Sequence, residues 1–255
     1  SGNNIIDSGT VTVGGNLLVT TDNNSGAINL GTLAVDGTVA LATNSSGNAT
    51  VVNDAGLQLA ASTVGGALSA TATTGNISDS GNLAVTGTAT FITDASGSNI
   101  VLDSSGNVFS DAVTMQADRG DETFGNVTFV DSGAVKLNSS ASANGDLYIN
   151  AGIDGAVGGN LSVTATTGNI TQGVAVAVGG TSSFTTSANN ATIALDTTTN
   201  AFTGAVTITT NDNSGTDADV TIDGGTTALI LAASTIDGDL TVRSGNASGI
   251  TDSGT

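Results

Sequence analysis

One seven-residue phrase, apolar-x-Gly-x-apolar-x-apolar, recurs along this chain, with copies beginning at Val13, Val35, Val64, Val85, Phe109, Val157, Val178, Phe202 and Ile236. Its seventh position is apolar in every copy: Val19, Leu41, Ala70, Phe91, Met115, Val163, Phe184, Ile208 and Val242. Its third is glycine in every copy but one, where Asp111 stands. Alternation of this kind is the signature of a half-buried strand. The glycine is expected at a corner that needs an unusual backbone angle. Successive copies start 22, 29, 21, 24, 48, 21, 24 and 34 residues apart. The interval of 48 is read as hiding a degenerate copy near Gly133-Ala134-Val135-Lys136-Leu137. A unit of about 21–24 residues holds two or three short strands and cannot bury its own apolar face. Stacked on neighbours it can, with backbone hydrogen bonds running between units.

Longer repeats enclose the short ones. Gly65–Ile77, "GGALSATATTGNI", matches Gly158–Ile170, "GGNLSVTATTGNI", at 11 of 13 positions, 93 residues on. Leu57–Leu68 matches Leu229–Leu240 at 8 of 12, 172 residues on. The phrase Asn-Ile-x-Asp/Gln recurs at Asn4, Asn76 and Asn169. These pairs divide the chain into long repeats 4–75, 76–168 and 169–249, with 250–255 opening a fourth. Leu, Glu, Lys, Gln and Arg are sparse while Thr, Val, Gly, Asn and Asp abound, which disfavours helix. The expected fold is all-β: a single β-solenoid segment over 1–255, a parallel β-helix of roughly 10–11 coils. At about 4.8 Å per coil the rod is on the order of 50 Å long.

Charge narrows the function. Lys+Arg is 3 against Asp+Glu 22, a net charge of -19. Arg119, Lys136 and Arg243 cannot neutralise a phosphate backbone, so no nucleic-acid partner is expected. An anionic membrane surface is disfavoured by the same sign. No apolar run reaches the roughly 18 residues of a spanning helix, so membrane insertion by that route is not expected. There is no histidine for proton transfer and no cysteine for nucleophilic attack, and the chain is read as not an enzyme.

The stretches "NLSVTATTGNITQGVAVAVGGTSSFTT" (Asn160–Thr186) and "ATIALDTTTNAFTGAVTITT" (Ala191–Thr210) resemble the repeat regions of filamentous-haemagglutinin-like giant bacterial surface adhesins. The resemblance covers essentially the whole chain. It implies a right-handed β-helix, a bacterial cell-surface or extracellular location, and a structural, adhesive rod with a cell-surface or glycan receptor. Alternatives are a calcium-dependent surface-layer or matrix-fibre protein, and a polysaccharide-binding or -cleaving β-helix. Ile6–Thr10 and Ile250–Thr255 carry the same phrase, so copies or flanking repeats are expected to stack end to end.

Two loops carry candidate sites. Asp212, Asn213, Asp217 and Asp219, with Asp22 in the matching turn, offer hard oxygens of the kind calcium takes in sets of about six to eight. Arg119-Gly120-Asp121 is an integrin-type cell-binding tripeptide in the stretched interval, where solenoid insertions project. Thr-x-Thr runs such as Thr207–Thr209 suggest flat hydroxyl arrays. The corresponding positions of other copies, Leu18/Thr20, Ala40/Ala42 and Ser69/Thr71, break that array. Asn-x-Ser/Thr sequons, among them Asn23, Asn44, Asn138 and Asn190, are as frequent as composition alone predicts.

Overall fold

A computed structural model describes residues 4–22, 24–117, 125–133, 135–137, 146–149, 156–211 and 218–254. Among these residues there are strands and no helix. Every ladder between them is parallel, in sheets of 13, 14 and 3 strands. The chain is a β-solenoid of about 10 turns.

One turn has three sides. Leu68–Ala72, Ile77–Asp79 and Leu83–Val85 follow one another, and Ala89–Thr93 then lies on Leu68–Ala72. Further on, Leu161–Ala165, Ile170–Gln172 and Ala177–Val178 make a turn, closed by Ser182–Thr186 lying on Leu161–Ala165. The first side is built from the stack Ile5, Ile28, Ala49, Leu68, Ala89 and Val113. The second carries Leu57, Ile77, Ile100, Val127, Leu161, Ser182 and Val206. The third carries Val135, Ile170, Ile193, Val220 and Leu240. The 13-stranded sheet crosses between sides where Val135–Leu137 pairs with Asp146–Ile149.

The seventh-position residues are inward, as the alternation requires. Val19, Leu41, Phe91, Val163 and Ile208 are buried and Val242 is half-buried. They stack in separate columns: Val19 under Leu41, Ala70–Phe91–Met115, and Val163–Phe184–Ile208. Each large apolar side chain buried this way contributes about 1.5–3 kcal/mol. The aromatics extend the columns edge to face, with Phe91 and Phe109 centroids 6.0 Å apart at 88°, an arrangement that favours ring quadrupoles.

The glycine of the short repeat has a different cause from the one its position suggested. Gly66, Gly159 and Gly238 do not have positive φ. A Cβ on Gly66 would stand 2.5 Å from the Ser46 carbonyl oxygen, and one on Gly159 2.6 Å from that of Gly125. Glycine is required because the corner presses against the backbone of the coil before it. The left-handed backbone sits elsewhere, at Gly75 and Gly97 in longer loops.

Two kinds of corner recur among the described residues. Sharp corners are the V-G-G-x-L turns. Wide corners are the Thr-, Asn- and Ser-rich loops, closed by a buried hydroxyl: Thr21 donates to the Gly26 carbonyl at 3.0 Å and Thr186 to that of Ala191 at 3.0 Å. Where a corner ends in Asn or Asp, the side-chain oxygen accepts the backbone N–H of its counterpart one coil on. Asn76 receives Asn99 at 2.8 Å, Asn99 receives Asn126 at 2.7 Å, Asn126 receives Asn160 at 2.8 Å and Asn160 receives Thr181 at 2.8 Å. Asn48, Asn169 and Asp219 do the same for Ala67, Thr192 and Asp239.

These ladders show how the long repeat meets the turn. A sharp-corner strand lies on a wide-corner strand at three joints: Leu68 on Ala49, Leu161 on Val127 and Leu240 on Val220. Leu68 is on the first side, Leu161 on the second and Leu240 on the third. Sequence-equivalent segments thus change sides, and the wide corner moves round by one corner in each long repeat.

Candidate functional site

The wide corners are where candidate ligands could be held, and the structure separates the residues expected there. Asp22 is exposed in the first turn. Asp219 lies near the other end, and its carboxylate accepts the Asp239 N–H at 2.9 Å. The two are not brought together. Asp212, Asn213 and Asp217 lie outside the described residues, as do Arg119, Gly120 and Asp121. Among the described residues no group of three or more acidic side chains is placed to hold a metal ion.

Other carboxylates, which sequence reasoning passed over, hold backbone. In the Asn-Ile-x-Asp/Gln phrase the last residue reaches the next coil. The Asp7 carboxylate accepts the Thr32 N–H at 2.7 Å and its hydroxyl at 2.9 Å. Asp79 accepts from the Asp103 N–H at 3.0 Å and from the Asn107 amide at 2.7 Å. Gln172 exchanges hydrogen bonds with Asn200, at 2.9 and 3.1 Å. The Thr32 hydroxyl and N–H hold the Asp7 carboxyl below its ordinary range, because they bond its charged form. Asp131 is 3% exposed, and burial pushes its carboxyl up although the Phe109 N–H bonds it at 3.2 Å. The recurrence of the phrase was the available signal, and its spacing to the next coil gives the role.

Hydroxyls do line up once the sides are sorted. Ser162, Ser183 and Thr207 form one outward column, and Thr164, Thr185 and Thr209 the next. The positions that broke the array in sequence belong to different sides: Leu18 stacks on Ala40, whereas Ser69 lies between Thr50 and Thr90.

One coil departs from the others. The strand Ile28–Val35 is 8 residues long and its register slips between Leu30 and Leu33. This bulge opens a surface groove of about 240 Å³.

Residues 46–116 and 150–209, just over half of the chain, match the family described as repeats of unknown function (DUF5649), and the chain belongs to that family. No curated protein and no solved structure matches the chain significantly.

Proposed function

We propose that the chain is a structural segment of an extracellular or cell-surface rod of a bacterium, adhesive and not catalytic. The observation that supports this most is the interlocking of successive coils. Asn side chains at successive corners cap the backbone of the next coil, so the fold is an axial scaffold that neighbouring repeats extend end to end. The likeness to haemagglutinin-type repeats supports the surface location and the adhesive role. The charge of -19 supports a divalent cation, calcium, as counter-charge at the 212–219 corner.

Electron microscopy of the polypeptide that carries these repeats tests the scaffold: rods of uniform width are expected, and compact globular particles overturn it. Antibody labelling of intact cells tests the location. Beads coated with the chain should adhere to host cells or to glycan-coated surfaces, and coated beads that behave like bare ones remove the adhesive half of the proposal.

A further inference from the structure

We infer that the groove at the bulge of Ile28–Val35 is a binding site for one ring of a neutral carbohydrate chain. The groove is lined by Thr10, Thr32 and Thr73, by Asp54, and by Leu33 and Val52. It exists because one residue is inserted between Leu30 and Leu33 relative to the coil above, and bulges of this kind re-aim side chains next to sites. The inserted segment is held in place, since the Thr32 N–H and hydroxyl both bond the Asp7 carboxylate at 2.7 and 2.9 Å. The rim is therefore preformed, which lowers the ordering cost of binding.

The lining selects the ligand class. Threonine hydroxyls both donate and accept, a carboxylate accepts only, and the half-buried Val52 offers an apolar surface to ring C–H groups. A sugar presents hydroxyl donors and an apolar ring face together. The groove has no basic lining residue and the chain carries a charge of -19, so phosphorylated, sulfated and other acidic ligands are repelled. At about 240 Å³ it falls below the roughly 300–1,000 Å³ of a drug-sized site. It takes one ring. The inference rests on the adhesive reading and supplies one contact for it, but the rod does not depend on it.

The test is a two-dimensional NMR titration of the isotope-labelled chain with cellohexaose, mannohexaose and maltoheptaose, and with a sulfated heparin hexasaccharide as the acidic comparison. The expected result is a saturable shift of the Gly31, Thr32 and Thr73 amides with at least one neutral oligosaccharide and none with the sulfated one. Gly31 lines the groove and a Cβ on it would meet nothing within 4 Å, so Gly31→Tyr adds a ring at the groove without a backbone clash. It should abolish those shifts, while Asp54→Asn weakens binding at least tenfold. Unshifted groove amides with all three neutral sugars, preference for the sulfated one, or equal binding by Gly31→Tyr with an unchanged melting curve each overturn the inference. None of these outcomes bears on rods seen by microscopy, so the two proposals fail separately.

Discussion

The side-chain oxygen of Asn126 accepts the backbone N–H of Asn160, 34 residues away, at 2.8 Å. Asn126 ends a wide corner and Asn160 a sharp one, yet both occupy the same place in the stack. The asparagine serves the axial repeat whichever corner precedes it. Replacing Asn99, the residue beneath Asn126, by Ala leaves an N–H to water and should cost about 0.5–1.5 kcal/mol in urea denaturation. Asn99→Asp should retain most of the stability, because Asp219 already fills that role towards Asp239. Equal losses in both variants would remove the ladder from the account.

Ile208 is fully buried between Phe184 and the core while its neighbour Thr207 faces outward. Ile208→Asp should cost several kcal/mol, about 3 or more, because it places an unpaired charge in a dry interior. Thr207→Asp should change stability by about 0.5 kcal/mol or less. Thermal melts of the two variants, one residue apart, check the alternation.

Gly66→Ala pushes a Cβ to 2.5 Å from the Ser46 carbonyl oxygen, whereas at Gly15 a Cβ meets nothing within 4 Å. The first change should destabilise by about 1–3 kcal/mol, as overpacking does. Gly15→Ala should be near neutral. If the two melt alike, close approach between coils is not what holds glycine at these corners.

The pH dependence should carry a contribution from Asp131. Its carboxyl is raised above the ordinary 3.8 by burial, so the folded chain holds this proton more tightly than the unfolded chain. Its contribution favours folding below about 3.8 and is lost as pH rises through the raised value. Asp131→Asn keeps an acceptor for the Phe109 N–H and should raise the melting temperature at pH 7 while leaving it unchanged near pH 3. A variant less stable at pH 7 than the parent would contradict this.

Calcium should stabilise the chain beyond ionic strength. Self-repulsion at a charge of -19 weakens the compact state, and any salt relieves part of it. Melting in millimolar calcium should exceed melting in sodium of matched ionic strength, and Asp217→Asn with Asp219→Asn should remove the difference. Coincident curves would leave only diffuse screening.

The solenoid was legible because alternation and a recurring glycine are local signals, and Val163 and Ile208 are buried as they demanded. The cause of the glycine was not, because close approach to Ser46 involves a coil about twenty residues back. The side on which a residue sits was not legible either. Leu68 and Leu161 end nearly identical phrases and stack in different ladders, since the long repeat is not a whole number of turns. Half of the sequon signal also becomes geometry: Asn48, Asn76, Asn126, Asn160 and Asn169 are corner caps. In each, the residue after Asn points inward and the Ser or Thr after that points out. The tripeptide and residues 212–217 of the calcium loop lie outside the described residues, and Asp219 is itself a corner cap.

The migrating wide corner acts as a screw thread cut into the rod. Three joints, at Leu68, Leu161 and Leu240, carry the thread once around the axis in about 10 turns, a pitch of roughly 50 Å. A flat surface lying along one flank meets the loops only once per pitch and bare strand between. A partner able to wrap the shaft meets them continuously. In a long array of these repeats the thread turns the loops to every flank in succession.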